Sequence, residues 1–274
     1  MASTFELVIK PRKGWQAIDL GEVWFHRELL GFLVWRDVKI RYKQTALGGL
    51  WAVLQPLMAM VVFVGLFNRV AKISSDGPPY ALFVFAGLVP WTFFSNALTL
   101  SSTSLVGNEQ MIRKTYFPRL FIPLGTIIAL GLDLLISLGF MGILMAYYRW
   151  YPSVVILWLP LFLLGSFLAA GGIGLMLAAL NVYYRDVKYV VPFCVQMGLF
   201  LTPVIYPLRY VPAKLRTFLG LNPMAGVIEG FRHALLGSPA SWEMVATSLS
   251  LSLLLFVAGL FLFRRMERDF ADVV

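Results

Sequence analysis

Few side chains in this sequence are placed to do acid–base, nucleophilic or metal chemistry. The 274 residues include only 2 histidines, His26 and His233, and 1 cysteine, Cys194, which lies in an apolar segment. Asp133, in the stretch IIALGLDLLISLG, is the one carboxylate well inside an apolar run. Because burying an ionisable group there is costly, it indicates a functional site. A structural hydrogen-bonding role and a position on a wet pathway both remain open for Asp133.

The motifs of the common catalytic and nucleotide-binding proteins are missing. The sequence has no GxxxxGK[ST] phosphate loop, and it also lacks HExxH, DxD and GxSxG. We therefore expect no catalytic residue and no metal site, and we interpret the chain as a non-enzyme. A membrane enzyme acting on a lipid-linked sugar is an alternative. It lacks a predicted acid/base pair, because Asp133 and Glu229 lie in distant segments.

The composition is that of a membrane protein. Hydrophobic residues make up 59% of the chain and charged residues only 14%, whereas a soluble domain carries about 25% charged residues. Six apolar stretches approach or exceed the ~20 residues that a helix needs to cross a bilayer. We predict an all-α polytopic membrane protein with six transmembrane helices, at about residues 50–70, 80–105, 120–147, 154–180, 189–206 and 243–263.

Most of the 23 lysines and arginines fall on one side of these spans if both termini are cytoplasmic. The positive-inside rule favours that orientation, although Arg209, Lys214 and Arg216 in an outer loop weaken the asymmetry. The net charge of +9 is then explained by topology and by attraction to anionic membrane lipids. We expect no nucleic-acid partner.

Before the first span, residues 22–47 predict an amphipathic interfacial helix, preceded by an N-terminal tail at 1–21. In WRDVKIRYK, Arg36, Lys39 and Lys43 share one face, and Asp37 can pair with Arg41 at i+4. Such a helix can simply anchor to anionic lipid. Its continuation through Gly48 and Gly49 into the first span predicts that its movement is transmitted there.

Between spans 5 and 6, the sequence predicts a short helix at about residues 223–236. Asn222 suits the N-cap, Pro223 the first helical position and Gly237 the position after the last turn. Fourteen residues reach only about 21 Å, so this helix is expected to be re-entrant or interfacial at the outer side. Glu229 and Arg232, with His233, lie on one side of it and can pair with one another.

Four stretches, in this order, resemble the membrane subunit of type-2 ABC exporters, and specifically the permeases that export lipid-linked polysaccharides such as O-antigen, capsule or teichoic acid. They are WRDVKIRYKQTALGGLWAVLQPL, MIRKTYFPRLFIPL, NVYYRDVKYVVPFCVQMGLFLTPVIYP and LNPMAGVIEGFRHALLG. The resemblance covers about residues 22–268. It implies a six-span membrane domain at 48–268, an outer gate region at 207–238 and a C-terminal tail at 269–274.

The resemblance also implies partners and a location. The chain would act as a homodimer in the bacterial cytoplasmic (inner) membrane, with two copies of a separate ATPase subunit that binds ATP and Mg. This chain would then need no cofactor of its own. Its other partners would be membrane lipids and the lipid-linked polysaccharide.

Three sets of site residues follow from the resemblance. The ATPase-coupling residues are Arg36, Asp37, Lys39, Arg41, Lys43, Met111, Ile112, Arg113 and Lys114. The outer-gate residues are Asn222, Pro223, Glu229 and Arg232. A path for the polymer would form between two copies along spans 1 and 5, with Phe63, Phe67, Tyr189, Phe193 and Phe200 as candidate stacking residues.

Two other transport functions remain open from the sequence. An exporter of the same class could carry a small molecule or a drug. An ion-coupled carrier would need more intramembrane charge than Asp133 alone supplies.

Overall fold

The structure, a computed structural model, describes residues 20–43, 48–70, 77–114, 117–267 and 270. The described residues are helices and short connections, which confirms the predicted all-α class. Most of the predicted tails at 1–21 and 269–274 lies outside the described residues, as do positions 44–47 at the end of the predicted interfacial helix.

The described chain contains eleven α-helices, which we number in chain order. They are α1 (Leu20–Phe25), α2 (Arg27–Lys43), α3 (Leu50–Phe63), α4 (Tyr80–Gly107), α5 (Glu109–Lys114), α6 (Phe121–Tyr147), α7 (Leu159–Tyr183), α8 (Val187–Leu201), α9 (Ala213–Gly220), α10 (Pro223–Leu236) and α11 (Trp242–Met266). A π-helical segment, Val64–Val70, continues α3, and 3₁₀ turns lie at Val154–Trp158 and Leu208–Tyr210.

Five helical segments within the described chain are long and apolar enough to cross a membrane, and they match predicted spans 1, 2, 3, 4 and 6. They are Leu50–Phe67, Tyr80–Gly107, Phe121–Tyr147, Val154–Tyr183 and Trp242–Met266. The fifth predicted span corresponds to the shorter apolar helix α8, so the count of six spans stays a prediction.

The helix α8 ends at Leu201, five residues before the predicted end of span 5. Thr202 is already extended, with ψ 143°. The cause is Pro203, because proline disfavours the helical conformation in the residue before it. The 15 residues of α8 rise only about 22 Å, less than the ~30 Å of a hydrocarbon core.

The helix α4 forms the centre of the fold. It packs against α3, α6, α7, α8 and α10. Most of its 28 residues are buried, and Leu82, Val84 and Phe85 are fully enclosed. The helices α3 and α8 both contact α4, and α3 also contacts α6 while α8 also contacts α7.

The predicted interfacial helix is interrupted at His26. The carbonyl of His26 accepts from the N–H groups of Leu29 and Leu30, and so starts α2 as a separate helix at Arg27. The helix α2 packs against α6, and Leu33 is its buried anchor, only 1% exposed. Leu33 packs beside Gly125 of α6, where a Cβ would make an ordinary van der Waals contact, 3.5 Å from the Cβ of Leu33.

Candidate coupling segments, path and outer gate

The middle of α2 is fastened to the start of α6 by a short polar chain. Arg36 donates through Nε and Nη2 to Asp37 Oδ1, at 3.0 and 2.8 Å. Thr126 Oγ1 of α6 donates to the other oxygen, Asp37 Oδ2, at 2.9 Å. Asp37 therefore binds both Arg36, on its own helix, and Thr126, on α6.

The predicted i+4 pair between Asp37 and Arg41 is wrong. Arg41 Nη1 instead donates to Asp133 Oδ2 at 2.6 Å, and Tyr42 Oη donates to Asp133 Oδ1. The physical reason is that a carboxylate inside a span needs charged or hydrogen-bonding partners, and α2 supplies them from the next turn. Burial and the bond to Asp133 raise the pKa of Tyr42 above its usual value, so its hydroxyl stays a donor.

Asp133 thus has the structural role that the sequence left open. It also lies on the wall of a cavity that Arg41 and Tyr42 share. A place for Asp133 on a wet pathway stays a prediction.

The two predicted coupling segments lie next to each other. Arg36 Nη1 approaches Met111 Sδ to 3.9 Å, joining α2 to α5. Ile112 is 4% exposed and packs with Phe117 and Leu120 in a second apolar core. Two segments that are 75 residues apart in sequence are therefore in contact, and their role in docking the ATPase subunit stays a prediction.

The charged residues of these segments differ in exposure. Arg113 pairs with Glu109 at 2.9 Å on the surface. Lys39, Lys43 and Lys114 are exposed. Beyond α5, Arg119 is held by the end of α11, where its backbone N–H donates to Glu267 Oε1 at 2.9 Å. The surface that α2 and α5 present is therefore basic and rests on α6 and α11.

The candidate path residues divide into two environments. Tyr189, Phe193 and Phe200 of α8 are 70%, 63% and 52% exposed. Phe63 and Phe67 are partly buried and pack against the main core, with their ring centroids 6.1 Å apart. The two sets lie on segments that both pack against α4, namely α8 and α3 with its π-helical continuation. Stacking of a glycan on these rings stays a prediction.

The short helix predicted between spans 5 and 6 is confirmed as α10, with the predicted ends. Asn222 Oδ1 accepts from Met224 N at 2.9 Å, Pro223 occupies the first turn, and Gly237 adopts φ 69°. Asn222 also donates through Nδ2 to Thr202 Oγ1 at 2.8 Å. The N-cap of α10 is thereby joined to the end of α8.

The predicted pairing among Glu229, Arg232 and His233 is wrong. Arg232 is buried and donates to the carbonyls of Phe83 (3.2 Å), Pro203 (2.7 Å) and Val204. Its guanidinium also lies 3.6 Å from the centroid of the Phe83 ring. His233 Nδ1 is 2.8 Å from the carbonyl oxygen of Ser238. Because α8 ends early, the carbonyls of Pro203 and Val204 have no helical N–H partners. They accept from Arg232, which therefore does not pair with Glu229.

Glu229 has an unusual environment as a result. Its Oε2 is buried without a hydrogen-bond partner in the described structure. Burial raises the pKa of Glu229 to about 7, against the lowering effects of a backbone hydrogen bond from Ser241 and of the charges of Arg232 and Arg216. Burial lowers the pKa of Arg232 to about 9. Glu229 and three arginines, Arg209, Arg216 and Arg232, line a cavity of about 190 Å³.

The polar contacts that join distant segments were not predicted from the sequence. Arg41 and Asp133 are 92 residues apart, and Arg232 and Phe83 are 149 apart. Tyr80 Oη donates to the carbonyl of Ile205 at 2.7 Å across 125 residues. The available signal was only that a polar group inside or beside a span needs a partner.

Comparison with known proteins assigns the family. A family model described as ABC-2 type transporter matches residues 28–236. The chain belongs to the ABC-2 type transporter family. This assignment confirms the resemblance carried by the four stretches, and with five candidate spans it makes the chain a membrane-spanning transport subunit.

Relatives within this family are named for polysaccharide export. The O-antigen export system permease protein RfbA of Klebsiella pneumoniae is 29% identical over 248 residues, covering 90% of this chain and 95% of the relative. The protein of the same name in Myxococcus xanthus is 29% identical over 261 residues, covering 92% and 98%. The polysialic acid transport protein KpsM of Escherichia coli is 24% identical over 243 residues, covering 85% and 91%.

Proposed function

We propose that this chain is the permease subunit of an ATP-driven exporter that moves lipid-linked polysaccharide across the bacterial cytoplasmic membrane. It works as a homodimer with two copies of a separate ATPase subunit, which holds ATP and Mg. The observation that carries the proposal is the similarity to O-antigen export permeases along 90% and 92% of the chain, with 95% and 98% of those proteins covered.

The coupling step takes place on α2 and α5. The ATPase subunits contact the basic surface formed by α2 and α5, whose two parts already meet at Arg36 and Met111. Closure of the ATPases on ATP moves this surface. Because Asp37 binds Thr126 and Asp133 binds Arg41, α6 moves with α2.

The first span receives the same movement through Gly48 and Gly49. Gly48 has φ 49°, a conformation that side chains disfavour, and so provides a tight turn before α3. A Cβ on Gly49 would lie 3.3 Å from Ile136 Cδ1 of α6. The turn therefore packs against α6, the same helix that α2 binds. The helices α3 and α6 therefore respond together.

The path lies along the apolar faces that α3 and α8 leave uncovered. A second copy of the chain covers these faces and completes a channel lined by Tyr189, Phe193 and Phe200, with Phe63 and Phe67 opposite. Repeated weak stacking suits a moving polymer, because each bound position must be easy to leave. The helices α9 and α10 close the outer end, with Arg232 holding the end of α8 in place.

The test is ATP-dependent export of glycan in cells. Deleting the gene for this chain should trap the lipid-linked glycan on the cytoplasmic side, and restoring the chain together with an active ATPase partner should return glycan to the surface. An ATPase partner with an inactivated phosphate loop is the matched control, and it should not restore export. Continued surface glycan after deletion, with loss of efflux of a small molecule instead, would favour the small-molecule exporter.

A further inference from the structure

A cavity of about 340 Å³, with a largely apolar wall that carries several polar side chains, lies among α3, α4 and α6, at the end of α2. It is formed within one copy of the chain, and its α3 side includes Trp51 and Gln55, which are exposed. Its volume is at the lower end of the ~300–1,000 Å³ range of small-ligand sites. It is thus large enough for one ring-sized group and too small for a folded polymer segment.

Three polar side chains in its wall have no hydrogen-bond partner among the described residues. They are Gln55 of α3 and Thr92 and Asn96 of α4, and together they offer two amides and one hydroxyl. Thr92 and Asn96 stand four residues apart, on one face of α4. Thr92 and Asn96 are half-buried, whereas Gln55 is exposed at the mouth of the cavity. Polar groups within spans are costly when unpaired, so Thr92 and Asn96 indicate a bound polar group.

The rest of the wall supplies a hydroxyl and an aromatic ring. Ser137 of α6 contributes its hydroxyl, although this already donates to the carbonyl of Ala52 at 2.9 Å. Trp51 is 53% exposed and stands at the start of α3. Amides and hydroxyls bind neutral donor–acceptor groups, and an indole supplies an apolar surface against which the C–H face of a sugar ring can rest.

The charge of the wall argues against an anion. Arg41 is the only cation among the lining residues, and it is already paired with Asp133 at 2.6 Å. The two charges cancel, whereas a phosphate group requires unneutralised cations or several backbone N–H groups. The chemistry that fits is a neutral, hydroxyl-rich ring.

We propose that this cavity is a saccharide subsite, which holds one sugar ring of the exported glycan through Asn96, Gln55 and Thr92, with Trp51 against the ring. The assignment rests on the proposed function and adds a binding site inside each copy of the chain. Since the cavity is bounded by the Arg41–Asp133 pair, occupation of the subsite and the position of α2 influence each other.

Binding can be measured separately from transport. The permease–ATPase complex in lipid nanodiscs is titrated with the oligosaccharide released by mild acid from the glycan of the same cells, and in parallel with inorganic pyrophosphate. Saturation-transfer NMR reports the contact. We expect the oligosaccharide to bind and pyrophosphate not to compete. Asn96→Leu and Thr92→Val should each weaken binding about 5-fold, the effect of one lost hydrogen bond.

Thr103→Val is the matched control, because Thr103 lies on the same helix outside the cavity and bonds the carbonyl of Leu100. It should bind the oligosaccharide as the unaltered chain does. If Asn96→Leu fails to fold, Thr92→Val carries the test, since it replaces only a hydroxyl by a methyl group.

Two results would overturn the subsite: unchanged binding in Thr92→Val and Asn96→Leu, or binding of pyrophosphate in place of the oligosaccharide. Either result, with ATP-driven glycan export intact, removes the subsite and leaves the proposed function. A complex that exports no glycan removes the proposed function.

Discussion

Arg41 Nη1 lies 2.6 Å from Asp133 Oδ2, and this pair joins the last turn of α2 to the interior of α6. The two side chains are 27% and 17% exposed, so solvent screens their attraction only in part. In the proposed mechanism, a movement of α2 reaches α6 directly through this pair, in addition to reaching α3 through Gly48, so that one helix acts on two spans.

Asp133→Asn should separate ATP hydrolysis from export. The substitution keeps the side-chain size and removes the charge, leaving Arg41 in a half-buried position without its counter-ion. We expect a loss of about 1–3 kcal/mol in stability and more ATP consumed per glycan exported. ATP turnover and export are measured on the same reconstituted complex, together with its melting temperature.

The control for Asp133→Asn is Glu109→Gln, which breaks the surface pair with Arg113, where the partners are 55% and 45% exposed. Exposed ion pairs contribute about 0–1 kcal/mol to stability. The Glu109→Gln variant should therefore consume as much ATP per exported glycan as the unaltered complex. An unchanged ratio of ATP to glycan in Asp133→Asn would refute a coupling role for the pair.

Reversal of three basic charges on α2, at the half-buried Arg36 and the exposed Lys39 and Lys43, tests the docking surface. Arg36→Glu with Lys39→Glu and Lys43→Glu should weaken capture of the ATPase subunit, because a basic patch attracts an oppositely charged partner. Pull-down of the partner at two salt concentrations measures this, and membrane insertion is checked by protease protection. The same three-charge change at Arg209, Lys214 and Arg216 is the control and should leave capture intact. If both variants capture the ATPase subunit equally well, the basic face of α2 does not dock the ATPase subunit and only anchors the helix to lipid.

The sequence predicted those parts of the molecule that depend on local pattern. The caps of α10 at Asn222 and Gly237 were recognisable because each is defined by residues within one turn. The early end of α8 at Leu201 was missed, although Pro203 was visible, because apolar composition alone does not register a backbone break. The partners of Asp133 and Arg232 depend on how the helices pack. A rule based on spacing within one helix predicts the wrong partner when a segment distant in sequence supplies a closer hydrogen-bonding group.

Arg232→Lys should destabilise the outer region. The planar guanidinium reaches three carbonyls at once, and a lysine ammonium in the same place cannot match that geometry. We expect a loss of about 2–4 kcal/mol, since buried carbonyls are left unpaired. Thermal unfolding in detergent, followed by tryptophan fluorescence, measures it. Arg209→Lys, at an exposed position, is the control. Equal melting temperatures would mean that Arg232 does not hold α8.

Glu229 should make stability depend on pH. Its pKa is raised by burial from 4.5 to about 7, so the folded chain keeps a proton that the unfolded chain releases. Stability is therefore full below about pH 4.5 and falls as the pH rises to about 7, by about 3 kcal/mol at 1.36 kcal/mol per pKa unit.

Melting temperatures between pH 4.5 and 8 measure this effect of Glu229, with Glu229→Gln as the comparison. The glutamine variant cannot ionise and should lose this part of the slope, gaining stability relative to the unaltered chain as the pH rises. Glu243→Gln, on the exposed start of α11, should keep the original slope. If the melting temperatures of the unaltered chain and Glu229→Gln change with pH in parallel, the pKa of Glu229 is not raised by burial.

The most direct test of the account is glycan translocation by the purified complex. Proteoliposomes containing this chain, its ATPase partner and radiolabelled lipid-linked glycan are given external ATP, which reaches only complexes whose ATPase subunits face outward. The label that becomes protected from an external glycosidase is counted. We predict translocation that requires ATP, both subunits and an intact phosphate loop in the partner. Translocation by this chain alone, or ATP hydrolysis by the full complex with no movement of glycan, would contradict it.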